Sequence, residues 1–286
     1  MTPAALGLVL AAAVIHATWN LLAKRVGGGI AFVWLFGSLA SIVYAPLAAA
    51  VIVLTRPQIA VVQLIFLAGT AVLHLGYFLT LQGGYRTGDL SLVYPLARGS
   101  GPVLSVGAAI ILLGERPTPV AMAGAILIGL GIFLLAGNPA SLGQPGARRA
   151  VGYALLTGAF IAAYTLWDKR AVSTLGIPPI LLDWGGNVGR VLLLTPAALA
   201  RRDDVQALWR AHRGEVVLVA VLTPLAYILV LTAMVFTPVS YVAPAREISI
   251  LVGTAMGSRL LAEGDAPRRL TAATAIVAGV AALAVG

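Results

Sequence analysis

The chain has 286 residues, 60% of them hydrophobic and 10% charged, whereas a soluble domain carries about 45–50% apolar and about 25% charged residues. No water-soluble surface can be assembled from this composition, and the formal net charge of +9 reads as loop lysines and arginines that set membrane topology rather than as a nucleic-acid footprint. Cysteine is absent, which excludes a disulfide framework and a thiolate metal site.

Ten apolar runs follow one another, predicted to span about residues 3–23, 30–54, 60–84, 90–113, 118–137, 150–168, 177–199, 215–236, 238–261 and 269–286, close to the ~20 residues that cross a bilayer as a helix. Backbone polar groups in lipid must be satisfied within the segment, and runs this long and this apolar exclude barrel strands. The fold class is all-α integral membrane. The first run starts at Pro3 with no basic stretch before it and no small-residue cleavage site, so it is expected to stay as helix one. Ala200–Gly214 is the longest predicted loop, and none is long enough to fold as a separate soluble domain.

Ionisable and polar groups inside a membrane are functional candidates by default. On helix one, His16, Trp19 and Asn20 share a face at i, i+3 and i+4. Helix three adds His74 and Tyr77, and helix four adds Arg98 behind Pro95, with Tyr94 on the same face. Tyr164, Trp167 and Asp168 repeat the polar-aromatic face on helix six; Asp183, Asn187 and Arg190 form a stripe on helix seven; Arg246 and Glu247 follow Pro244 on helix nine. An arginine fork suits a carboxylate or phosphate, and a nearby proline releases backbone carbonyls that can line a cavity. The alternative for each arginine is neutralisation by an internal acid such as Glu247 or Asp183. Glu115 and Glu263 end their helices, where a carboxylate opposes the dipole; both are expected to act as structural latches or gates, held by a partner such as Arg116, Arg259 or a helix of the same half. Asp168, Asp183, Glu247, His16 and His74 are the candidates for proton coupling.

Adding 148 to a position takes Trp19 to Trp167, Asn20 to Asp168, Gly37 to Gly185, Arg98 to Arg246, Glu115 to Glu263 and Gly131 to Gly279. One gapless offset thus relates two halves, 1–138 and 149–286, of five helices each. An odd number of spans puts the second copy into the membrane in the opposite sense. Inverted repeats around a central cavity, with the substrate near the midplane, are an architecture of secondary transporters.

On the two-times-five organisation, the segment His16-Ala-Thr-Trp-Asn-Leu-Leu-Ala-Lys24, and the helix ending Leu-Leu-Gly-Glu115-Arg116 echoed by Leu-Leu-Ala-Glu263-Gly264, the chain resembles the ten-helix EamA-type members of the drug/metabolite transporter superfamily. The resemblance implies a monomer-sized helical basket that moves amino acids, nucleosides, sugars or similar metabolites, commonly outward. The copies differ at Asn20/Asp168 and Arg116/Gly264, so their binding roles need not match.

The functional expectation is a secondary carrier of a small anionic or zwitterionic metabolite, such as an amino acid or organic acid, in a bacterial-type inner membrane. It needs a lipid bilayer and a small-molecule substrate, with no nucleic acid and no cofactor. There is no phosphate-binding G-x-x-x-x-G-K-[ST] loop, no H-E-x-x-H and no G-x-S-x-G, which disfavours nucleotide-driven pumping and enzymatic chemistry; a scaffold or lipid-handling protein is the remaining alternative. On topology two arguments disagree. Odd-numbered loops hold Lys24, Arg25, Arg86, Arg148, Arg149, Arg201, Arg202, Arg210, Arg213, Arg259, Arg268 and Arg269, against Arg56, Arg116, Lys169 and Arg170 in even-numbered ones, which places both termini outside. The family resemblance places them inside.

Overall fold

The computed structural model describes residues 1–26, 29–87, 90–136, 147–252 and 266–286, and among these it is helical with no strands. The helices are α1 (Pro3–Val26), α2 (Gly29–Thr55), α3 (Val61–Thr87), α4 (Leu90–Leu113), α5 (Pro119–Ala136), α6 (Ala147–Ser173), α7 (Pro179–Leu199), α8 (Arg202–Phe236), α9 (Val239–Ala245) and α10 (Ala266–Val285). Prolines open α1, α5 and α7, where the missing N–H is not needed. Gly114 and Gly176, at φ +68° and +63°, make the left-handed turns after α4 and before α7. Among the described residues six helices are long and apolar enough on their own to cross a membrane, and the outward surface is apolar, with Leu54 82% and Ile111 80% exposed. Such a surface is stable only against lipid.

Two spans differ from expectation. Ala200–Gly214 is mostly helix rather than loop: α8 starts at Arg202 and bends at His212 (φ −134°, ψ 29°). The part after the bend is about 36 Å long at 1.5 Å per residue, enough to cross a ~30 Å hydrocarbon core. The exposed Arg202, Asp203, Asp204 and Arg210 therefore precede the span, on a surface helix. The second difference is a break in the predicted 238–261 helix. Helix α9 ends at Ala245, Arg246 and Glu247 form a turn, and helix resumes at 248–252. Pro244 lacks an N–H to carry the helical ladder, and tighter bonds bridge the break, from Glu247 N–H to the Pro244 carbonyl and from Ser249 N–H to the Arg246 carbonyl.

Helix packing is paired. α3 lies on α6 and α8 on α1; α3 meets α7 and α8 meets α2; α2 faces α7 and α5 faces α10. The α5–α10 contact is close and antiparallel. A Cβ on Gly124 would come within 2.6 Å of the Gly279 carbonyl and one on Gly279 within 2.6 Å of the Gly124 carbonyl; likewise Gly131 meets Ile276 and Gly279 meets Ile128, each at 2.7 Å. The 148 offset exchanges the last two contacts with each other. Small residues permit this backbone approach, which drives helix association where no hydrophobic effect operates.

On α3, Gly69, Gly76 and Gly83 recur every seven residues, and each lies against an aromatic ring of α6, namely Trp167, Phe160 and Tyr153. Running antiparallel, three rings fill three glycine notches and set α6 against α3 in one register.

Candidate functional site

Where α4 crosses α9, two arginines converge on one carboxylate. Arg98 lies within α4 and Arg246 at the C-terminal cap of α9, and their side chains are 7% and 9% exposed. Arg98 Nη2 is 2.8 Å from Glu247 Oε2, and Arg246 Nε is 3.4 Å from Glu247 Oε1. Glu247 is 1% exposed. The neutralising acid is thus Glu247 and not Asp183. Arg98 also donates to Ser249 Oγ (3.5 Å). Arg246 donates to the Tyr164 hydroxyl (3.3 Å), and its guanidinium carbon lies 5.7 Å from the Tyr164 ring centre. His16 of α1 is within electrostatic reach of both arginines.

Tyr164 links this trio to a second cluster. Its ring stacks on His74 (4.1 Å between centres, 27° between planes) and meets Tyr77 and Tyr227 edge-on. Asp168, fully buried on α6 one turn beyond Tyr164, accepts hydrogen bonds from Thr70 Oγ1 (2.6 Å) and the Tyr227 hydroxyl, with His74 Nε2 at 3.0 Å. A buried carboxylate with three such partners is satisfied where it stands. Thr70, Tyr227 and Ser249 were not predicted. Tyr227 is a phenol in an otherwise apolar run, opposite Leu79 in the other copy, and that mismatch was its one signal.

The other candidates separate. Asn187 donates to the Gly37 carbonyl (3.0 Å) and Ser41 Oγ (3.2 Å) of α2 and accepts from Arg190, so it ties α7 to α2. Asp183, half-buried on the same helix, is within electrostatic reach of Arg190 and Asp168. Trp167 stacks on Phe66 (4.1 Å) and donates Nε1–H to the Phe66 carbonyl (2.9 Å), which makes it a helix-packing residue. On α1, His16 and Trp19 pack edge to face, Asn20 bonds the His16 carbonyl of its own helix, and Trp19 Nε1 is buried without a hydrogen-bond partner among the described residues. The Tyr94 side chain and all of Glu263 lie outside the described residues.

Glu115 has a partner, but not Arg116 or its own half. Both its oxygens accept from α9, from Val239 N–H (2.7 Å) and Ser240 N–H (2.8 Å). A carboxylate there answers the exposed donors of a helix start. Lys169, expected at a loop, lies inside α6, and its Nζ donates to the Met234 and Thr237 carbonyls (2.6 and 3.0 Å) that end α8. The α8–α9 corner is therefore held at both helix ends by opposite charges from α6 and from the turn after α4.

Among known proteins, residues 3–137 match the model of the EamA-like transporter family. A solved crystal structure superposes with a TM-score of 0.74 at 16% identity, covering 97% of both chains; at that identity the likeness speaks for the fold alone. No curated protein matches.

Proposed function

We propose, from the premise that residues 3–137 belong to the EamA-like transporter family, that this chain is a secondary transporter exporting a small anionic or zwitterionic metabolite, such as an amino acid or organic acid, across a bacterial inner membrane. The family consists of membrane transporters, which sets the general class. Two five-helix repeats, 1–138 and 149–286, are inverted in the membrane and alternate access to a site between them. The antiparallel α5–α10 contact, with Gly131–Ile276 exchanged for Gly279–Ile128, supports that arrangement.

The observation that carries the reading is the meeting of Arg98, Arg246 and Glu247 at a break in α9. One arginine comes from each repeat, from corresponding positions, and so the pair straddles the axis that relates the halves. Buried charge is costly in a membrane interior and is retained where a charged group must pass. A substrate carboxylate on this pair meets planar forks that can each hold it in two-point fashion.

Counterflow in liposomes tests the reading, with a panel of labelled amino acids and organic acids. Wild type exchanges at least one of them, and Arg98→Ala and Arg246→Ala each lower that exchange at least about tenfold, the rate change that about 1.4 kcal/mol of lost binding produces, while remaining monodisperse. Exchange indifferent to both arginines removes the site, and no exchange across the panel removes the transport reading.

A further inference from the structure

Glu247 already occupies the fork that a substrate anion would take. Its two oxygens face Arg98 Nη2 and Arg246 Nε, and neither oxygen has a further hydrogen-bond partner among the described residues. The arrangement is asymmetric. The position matching Glu247 in the first copy is Gly99, so two arginines from two copies share an acid that only the second copy supplies.

We propose that Glu247 is a built-in competitor for the substrate anion, so that a proton on Glu247 and an anion on Arg98 and Arg246 load together. This rests on the transport reading above and adds its coupling: proton and anion travel in the same direction, so export runs down the metabolite's own outward gradient and carries a proton with it. With Glu247 ionised, the fork is closed by the chain's own carboxylate. With Glu247 protonated, its attraction for both guanidinium groups falls and they turn to an external carboxylate. Linkage makes the effect reciprocal: if protonation tightens anion binding, the anion raises proton affinity by the same factor. A single titrating group limits the change in affinity to tenfold per pH unit.

Other groups face this centre. Arg246 adjoins Glu247 in the chain, Arg98 comes from α4 and Tyr164 from α6. His16 of α1 and Tyr227 of α8 lie within electrostatic reach of Arg246; α5 carries no ionisable residue, and α10, which also packs on α9, carries only Arg268 and Arg269 in its first turn. His16 is a second group beside the arginines that can carry a proton, and it must be separated from Glu247 by mutation.

Binding to the purified full-length protein tests the proposal, with benzoate, lactate and L-glutamate as probes. Each keeps a carboxylate charged between about pH 5.5 and about pH 7.5. Wild type is expected to bind at least one probe, with Kd about tenfold lower at the acid end. Glu247→Gln binds with the acid wild-type affinity at both pH values, Glu247→Asp retains the pH dependence, and so does His16→Gln. Affinity that is flat or weaker on acidification in wild type overturns the proposal, as does pH dependence that survives in Glu247→Gln, or no binding of any probe. Counterflow by the same preparation separates the two levels, because exchange without pH-linked binding keeps the transporter and discards this coupling.

Discussion

The α3–α6 and α8–α1 interfaces correspond under the 148-residue repeat, yet the two are finished differently. On α6, Trp167 lies against Gly69 and bonds the Phe66 carbonyl, and Asp168 is closed by Thr70, His74 and Tyr227. On α1, Trp19 has no hydrogen bond among the described residues and Asn20 turns back to its own helix. The α8 positions matching Gly69, Thr70 and His74 are Val217, Leu218 and Leu222, so α8 offers neither notch nor polar partner. One of the two surfaces is locked by these bonds across helices, and the surface that matches it at the 148-residue offset makes none of them. The alternating access proposed above needs both kinds: helices that move as a block and a face along which they part.

Mutations can sharpen this contrast. The largest effect is expected at Asp168→Ala, which leaves three polar groups without their acceptor; breaking a buried charged network costs about 3 kcal/mol or more, read as a loss of folded yield and a lower Tm in detergent. Asn20→Ala at the matching place should change stability by less than about 1 kcal/mol. Equal losses at both sites would erase the distinction. Next comes Gly69→Val, which gives α3 the residue that α8 carries. Its Cβ would meet the Trp167 ring, and overpacking of this kind costs about 2 kcal/mol, whereas the reciprocal Val217→Gly should cost only the roughly 0.3–0.5 kcal/mol by which Gly is a poorer helix former than Val. Indole fluorescence of single-tryptophan versions should report displacement of Trp167 in Gly69→Val and no change at Trp19 in Val217→Gly.

Much of this architecture is legible in residue order, because lipid imposes a simple rule on composition and length. The spans, the 148 offset and the pair Arg98/Arg246 all follow from scarce residue types recurring in an apolar background. Partnerships are harder. Gly69, Gly76 and Gly83 stand at the same sevenfold spacing as Tyr153, Phe160 and Trp167, but nothing in either run says that α3 packs on α6. Nor does hydropathy register the break at Arg246, since the apolar run continues on both sides of it. Glu115 was expected to find a partner in its own half; a carboxylate at a helix end can serve any neighbouring helix start, and here it serves α9 of the other half. The surface helix before His212 was hidden because its charges mimic a loop.

If transport runs through Arg98 and Arg246, the site between them opens to each side of the membrane in turn. The chain has no native cysteine, so Ser249→Cys, beside Arg98, gives a single thiol at that place. It would be probed with a membrane-impermeant thiol reagent in vesicles of both orientations. Modification is expected from both sides, slowed by transported substrate. Modification from neither side, or from one side only and unaffected by substrate, would contradict transport through this site.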